Sequence, residues 1–254
     1  MTGVTGVDGA GVVLLETGRM RLRRFTEGDA DALTELDSDP EVMRYLTGGR
    51  PTPADVVRGE LLPRLLAGYD RHPGLGRWAA LDRATGAFLG WFALNPGALS
   101  GFDAPAGSEA GALPGPAAAA PPLTAQPVAA QPVAAQPTTA EAVAAQPVVA
   151  TQAELGYRLR RAAWGRGLAT EGSRALVRYA FTTLGLARVW AQTMAVNTAS
   201  RRVMEKAGLR YVRTFHLDWD DPIEGTEHGE VEYELLHVGQ VAVSGRRDTA
   251  TCPT

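Results

Sequence analysis

The chain has 254 residues, of which 45% are apolar and 21% charged, and its net charge is −3. That balance is ordinary for a globular protein; it offers no basic face for nucleic acid and no run near the roughly 20 apolar residues that cross a bilayer. Cys252, the single cysteine, cannot form an intramolecular disulfide or a structural zinc site, and the opening MTGVTGVDGA lacks the features of a secretory signal, so a cytoplasmic location is expected.

In chain order, "VVLLETGRMRLRRF" opens the first block. Met20, Leu22 and Phe25 alternate against Arg21 and Arg23, the period of a half-buried strand. "TEGDADALTELDSD" reads as a helix with Thr26 as N-cap, acids in its first turn and a stripe of Ala32, Leu33 and Leu36. "PEVMRYL" reads as a short helix with Pro40 near its first position. "TPADVVRGELLPRLLAGYD" is helical from Thr52, with a kink expected before Pro63. "RWAALD" and "GAFLGWFALN" are two strands joined by the turn Arg83–Gly86.

From about Pro96 to Gln152 the letters are Ala, Pro, Gln, Val, Gly and Thr, and "AAQPV" recurs at Ala129–Val133 and Ala144–Val148. Repeated prolines remove backbone donors, and little large apolar surface is present to oppose chain entropy. Residues 97–152 therefore read as a disordered or extended insertion, either a solvated spacer or a docking segment. The tails, 1–10 and 239–254, read as frayed. What remains is one domain within residues 11–238.

The second block begins with "AELGYRLR", where Ala153, Leu155, Tyr157 and Leu159 alternate with Glu154, Gly156, Arg158 and Arg160. "RRAAWGRGLATEG" follows, and then Leu168, Ala169, Leu176, Val177, Ala180 and Leu184 recur at helical spacing as far as Gly185. "ARVWAQTMAV" is a strand. "NTASRRVMEKAG" is a helix capped by Asn197, stopped by Gly208, with Ala199, Val203 and Ala207 as its expected buried stripe. "LRYVRTFHLDW" and "GEVEYELLHV" are two further strands, antiparallel across an acidic loop.

The glycine loop thus sits between a strand and a helix. There the N–H groups of Gly165 to Ala169 would favour an anion such as a pyrophosphate, although a plain flexible turn reads equally well. Position 170 of a dinucleotide fingerprint should be glycine and is Thr170; a P-loop needs a lysine that does not follow these glycines.

"ELGYRLRRAAWGRGLATEGSRALVRYAF" followed by "NTASRRVMEKAGLRYV" resembles the GNAT superfamily of acyl-CoA N-acyltransferases, and within it the Rim-type, ribosomal-protein and N-terminal acetyltransferase branch. "LETGRMRLRRF" is similar to that branch's first strand. The family's loop pattern falls on Trp164, Gly165, Arg166, Gly167, Leu168 and Ala169, with Trp164 departing from the strict first position. The resemblance implies an α/β (α+β) fold: a mixed, mostly antiparallel sheet, with splayed central parallel strands, flanked by helices. It implies acetyl-CoA as co-substrate, no metal, and an amine acceptor attacking the thioester directly. Cofactor binding then falls to Leu159, Trp164, Gly165, Arg166, Gly167, Leu168, Ala169, Thr170 and Asn197.

The chemistry asks for an N–H aimed at the thioester oxygen, a base for the amine and an acid for the leaving thiolate. Glu154 stands as base or as a solvated strand carboxylate. Many members of the family use a tyrosine on the helix after the fifth strand as the acid; no tyrosine lies in residues 197–207, so the resemblance implies Ser200, the nearest hydroxyl, as in Rim-type enzymes, the other reading being that Ser200 only shares in capping the helix. Asn197 either reaches the pantetheine amides or is a plain N-cap. The four histidines show no ligand spacing. Asp218, Asp220, Asp221, Glu224, Glu227, Glu230 and Glu232 form either a solvated loop or a negative field that draws a cationic amine or basic peptide. The reading is an N-acetyltransferase acting on a protein N-terminus or a small-molecule amine. The alternatives are a non-catalytic acyl-CoA-binding module on the same fold and an interaction protein working through the Gln/Pro tract. No nucleic-acid or membrane partner is expected, and monomer and homodimer both stand.

Overall fold

The computed structural model describes residues 7–8, 11–96 and 151–237. Apart from Thr151 and Gln152, the expected insertion lies outside the described residues, as do the 239–254 tail and most of the first ten residues. Gln152 itself opens a strand, and Val7–Asp8 pairs with Gly11 and Val12, so ordered chain begins earlier than expected at both places.

Nine strands form one sheet: β1 (Val7–Asp8), β2 (Gly11–Glu16), β3 (Met20–Arg24), β4 (Gly76–Asp82), β5 (Phe88–Pro96), β6 (Gln152–Leu159), β7 (Arg188–Met194), β8 (Arg210–Phe215) and β9 (Glu230–Leu236). Their spatial order is β1-β2-β3-β4-β5-β6-β7-β9-β8. Every neighbouring pair is antiparallel except β6 and β7. The strand alternation divides the side chains between two layers. Trp78, Phe92, Leu155, Val189 and Tyr233 face helices α5 (Leu168–Thr182) and α6 (Thr198–Ala207). Phe25, Ala79, Trp91 and Ala93 face α1 (Ala30–Ser38), α2 (Pro40–Thr47) and the helix that runs from α3 (Ala54–Val56) into α4 (Leu62–Arg71).

Local chemistry accounts for these elements. The Asp29 carboxylate accepts from the Thr26 N–H at 2.8 Å and from both Arg23 guanidinium nitrogens at 2.7 Å, fixing the entry to α1. Burial alone would raise the Asp29 pKa; those hydrogen bonds outweigh it, and the pKa is lowered. The expected kink before Pro63 is a π-helical segment, Val57–Leu61, between α3 and α4. Proline there cannot donate to the carbonyl one turn back, and the wider turn relieves the clash with its ring. The turn between β4 and β5 is closed by Gly86 N–H to Asp82 O at 2.8 Å, with Gly86 at φ +73°.

Helix α6 departs from its expected stripe. Met204 and Ala207 are buried, Ser200 and Val203 are half-buried, and Ala199 is exposed. Asn197 accepts from Ser200 N–H at 3.1 Å, so the helix begins where expected, but its inward face runs Ser200–Met204–Ala207. Alanine carries little periodic signal of its own, which is why the phase was misplaced.

Candidate active site

The parallel ladder between β6 and β7 has only three pairs: Gln152 with Arg188, Ala153 with Val189 and Glu154 with Trp190. Beyond Glu154 the strands part. β6 stays with β5 as far as Leu159, and β7 stays with β9 as far as Met194. A wedge-shaped gap opens in the middle of the sheet, lined by backbone that has lost one ladder partner.

The glycine loop leads from the far end of β6 into α5. Leu159 is buried, and its carbonyl accepts the Trp164 indole N–H at 2.7 Å. A short 3₁₀ turn, Arg161–Ala163, plugs Ala163 into the core. The chain then turns at Gly165 (φ +69°) and Gly167 (φ +75°), where a side chain would be strained. Around Gly165 there is open space: a Cβ there would meet nothing within 4 Å. Leu168 is 1% exposed and anchors the helix, so only its backbone is available to a ligand. The first-turn N–H groups of a helix have no intrahelical partner. Here they belong to Leu168, Ala169 and Thr170, with the two glycines beside them. Such a cradle suits an anion in charge, and the open side of Gly165 leaves room for one.

The loop is braced from outside. Arg19 donates to the Arg166 carbonyl at 2.8 Å and to Glu171 at 2.6 Å, while its own N–H meets the second Glu171 oxygen at 3.0 Å. Burial would raise the Glu171 pKa, but the hydrogen bonds from Thr17 and Arg19 bring it down.

Glu154 and Ser200 lie on opposite faces of the sheet. Glu154 is half-buried on the α1–α2 side, where Asn95 Nδ2 donates to its Oε2 at 3.4 Å. The same cross-sheet row continues to Trp190. Asn95 Oδ1 and the Trp190 indole N–H are both buried without a partner among the described residues. Ser200 lies on the α5–α6 side, and its Oγ is 2.9 Å from the Tyr157 hydroxyl, which also donates to the Ser200 carbonyl at 3.0 Å. Burial pushes the Tyr157 phenol up to about 12, with the Ser200 hydrogen bond acting the other way. It is therefore a neutral donor at physiological pH. Tyr157 was read only as part of a core stripe, and nothing short of the placement of α6 could have given it this partner. Asn197 caps α6 with its oxygen, and its Nδ2 donates to Thr193 Oγ1 at 3.2 Å, so both ends of the amide are engaged.

The acidic loop looks different in space. No Lys or Arg interrupts it in sequence, yet Arg50 pairs with Asp221, Arg44 with Glu224 at 3.8 Å, and Arg213 with Glu232 at 2.8 Å. Arg188 joins Glu232 and Glu234. Glu230 alone of the seven is both buried, at 2% exposure, and left with an unpartnered oxygen. Burial pushes its carboxyl up to about 7. Among the described residues no group of three or more His, Cys, Asp and Glu is arranged to hold a metal, and no helix is long and apolar enough to cross a membrane.

Comparison with known proteins gives this geometry a family. The acetyltransferase (GNAT) domain model matches residues 19–111 and 138–210, and the break in the match falls inside the Ala/Pro/Gln segment. FsC-acetyl coenzyme A-N(2)-transacetylase of Aspergillus fumigatus is 32% identical over 221 residues, covering 87% of this chain and 75% of that protein. Two solved structures share the fold. RimL, a ribosomal L7/L12 alpha-N-protein acetyltransferase in complex with coenzyme A, superposes with a TM-score of 0.57 at 13% identity, over 88% of this chain and 97% of its own. A spermidine N-acetyltransferase from Vibrio cholerae, in complex with CoA and spermine, superposes with a TM-score of 0.54 at 14% identity, over 85% and 95%. With a parted pair of parallel strands, a glycine loop opening the following helix and a family match over more than half its length, the chain belongs to the GNAT family of acetyltransferases.

Proposed function

We propose that the protein transfers the acetyl group of acetyl-CoA to a primary amine by direct attack within a ternary complex. The observation that carries this reading is the β6–β7 gap, with an anion cradle on one side and the row Asn95–Glu154–Trp190 on the other. Acetyl-CoA would supply the activated acyl group and a thiol leaving group. The N–H groups of Gly165, Arg166, Gly167, Leu168, Ala169 and Thr170 hold its pyrophosphate. Glu154 takes a proton from the entering amine, with Asn95 fixing the carboxylate. Ser200 and Tyr157 supply a proton to the departing sulfur; because they share a hydrogen bond, the charge left behind is spread over the pair until solvent returns the proton as the products leave. Approach of the two reactants from opposite faces of a parted sheet suits attack of the amine on the face of the thioester carbonyl and aligns them before chemistry. The serine in place of a helix tyrosine supports a Rim-type assignment, and the acceptor class is a protein N-terminus or a small amine.

The cradle can be tested by placing a carboxylate in it. Ala169 is the second residue of α5, where a carboxylate favours the helix dipole but opposes a phosphate. Because Ala169 packs partly against the core, we expect Ala169→Asp to lower the melting temperature yet to fold, and to weaken acetyl-CoA binding, read by calorimetry, at least tenfold, about 1.4 kcal/mol. Unchanged affinity in the folded variant would remove the glycine loop from cofactor binding.

A further inference from the structure

One buried acid stands outside this chemistry. Glu230 opens β9 and pairs across the ladder with Met194 at the end of β7 and Phe215 at the end of β8. By strand alternation it shares the sheet face of Glu154, Trp190 and Gln192, which is the side assigned above to the acceptor. Its carboxyl is 2% exposed with Oε1 unpartnered. A buried carboxylate is tolerated only when paired or protonated. The arginines that pair with the acids of this loop and of β9 are engaged elsewhere: Arg188 on Gln152, Glu232 and Glu234, Arg213 on Glu232, Arg44 on Glu224 and Arg50 on Asp221. Among the described residues no cation pairs with it, so a proton neutralises it until a cation from outside the chain takes that place.

Position and cover agree with this. Strands are spaced about 4.8 Å apart and residues about 3.4 Å along a strand; Glu230 lies one strand beyond the gap and, by register, four residues along β7 from the Glu154–Trp190 pair, on the side toward which the gap opens. The segment leading into β9 lies over this end of the sheet: a Cβ on Gly225 would stand 3.3 Å from Met194 Cε, and Gly48 at the end of α2 touches Ile223. Its ties to the body of the protein are the solvent-exposed pairs Arg44–Glu224 and Arg50–Asp221, the buried Ile223 side chain and the hydrogen bond from Ala195 N–H to the Gly229 carbonyl at 2.8 Å. The ion pairs are weak, so a ligand that displaces this segment has chiefly the burial of Ile223 to overcome.

We propose that Glu230 selects the acceptor, its carboxylate receiving the second ammonium of a short diamine whose first amine is acetylated at the β6–β7 gap. This rests on the acetyl-transfer reading. Initial rates with acetyl-CoA are measured for 1,4-diaminobutane and n-butylamine, and binding of 1,4-diaminobutane to the full chain is measured by calorimetry. The wild type should favour the diamine by tenfold or more in kcat/KM. Glu230→Gln should erase that preference through KM, leaving the n-butylamine rate unchanged, and should weaken diamine binding to match. Glu230→Asp, one methylene shorter, should move the preference toward 1,5-diaminopentane, a shift that a purely structural residue would not cause. Equal treatment of the two amines by the wild type, or a diamine preference that survives in Glu230→Gln, overturns the proposal while acetyl transfer stands. Diamine binding that depends on Glu230, with no transfer to either amine, supports the diamine site and overturns the acetyl-transfer reading.

Discussion

Glu154→Gln is expected to lower kcat about 10²–10⁴-fold near neutral pH, the usual worth of a positioned general base. The substitution is nearly isosteric, leaves the Glu154–Trp190 and Glu154–Asn95 strand pairs in place, and keeps an oxygen that Asn95 can reach. Acetyl-CoA affinity should not change, because Glu154 lies on the sheet face away from the glycine loop. Raising pH should recover part of the rate, since the acceptor amine then loses its proton to solvent before it enters. Ser200→Ala should act differently. The Tyr157 hydroxyl remains in the site, neutral at physiological pH because burial has pushed it up to about 12, and still able to donate. The loss should be nearer tenfold, in kcat and not in KM, as for a group that acts mainly in the transition state. A pH–rate profile of both variants checks these outcomes. Near-wild-type rates throughout would leave positioning and the thioester-oxygen contact as the sources of rate.

The second large effect is on folding. Gly172 lies inside α5, and a Cβ there would stand 2.3 Å from Cζ and 2.4 Å from Cε1 of Phe92. Phe92 is fully buried and sits opposite Trp78 in β4 and Tyr157 in β6, so its ring has nowhere to move. Overpacking a fixed core by even a little costs about 1–3 kcal/mol. Gly172→Val adds three carbons and should cost at least about 3 kcal/mol, lowering the melting temperature by about 6–12 °C for a domain of this size. Because α5 carries the cradle at its N-terminus, acetyl-CoA binding should weaken with it. Gly59→Ala is the control: its Cβ would meet nothing within 4 Å, and stability should hold or rise. An unchanged melting temperature for Gly172→Val would mean that α5 does not sit against β5 at this distance.

Much of the architecture was legible because strand alternation and helix caps are local signals. Met20 and Leu22 against Arg21 and Arg23, the turn at Gly86 and the cap at Asn197 all lie within a few residues of what they determine. The parting of β6 from β7 is not local; it was reached through family resemblance, because nothing in "AELGYRLR" or "ARVWAQTMAV" says where a ladder stops. The contact of Gly172 with Phe92 and the bond of Tyr157 to Ser200 join segments more than forty residues apart, and no periodicity carries either. The acidic loop shows the same limit. Its charges cluster in sequence, while the arginines that pair with Asp221, Glu224 and Glu232 arrive from α2, the chain after it, β7 and β8. Only with those partners in place does Glu230 stand out from its neighbours.

The central claim, acetyl transfer to an amine, is tested most directly by counting products. The full chain is incubated with acetyl-CoA and a panel of primary amines, and free CoA thiol is measured together with acetylated amine by mass spectrometry. The account predicts thiol release that requires an amine and matches acetylated product one for one. Bound acetyl-CoA with no thiol release for any amine, or thiol release without acetylated product, would contradict it.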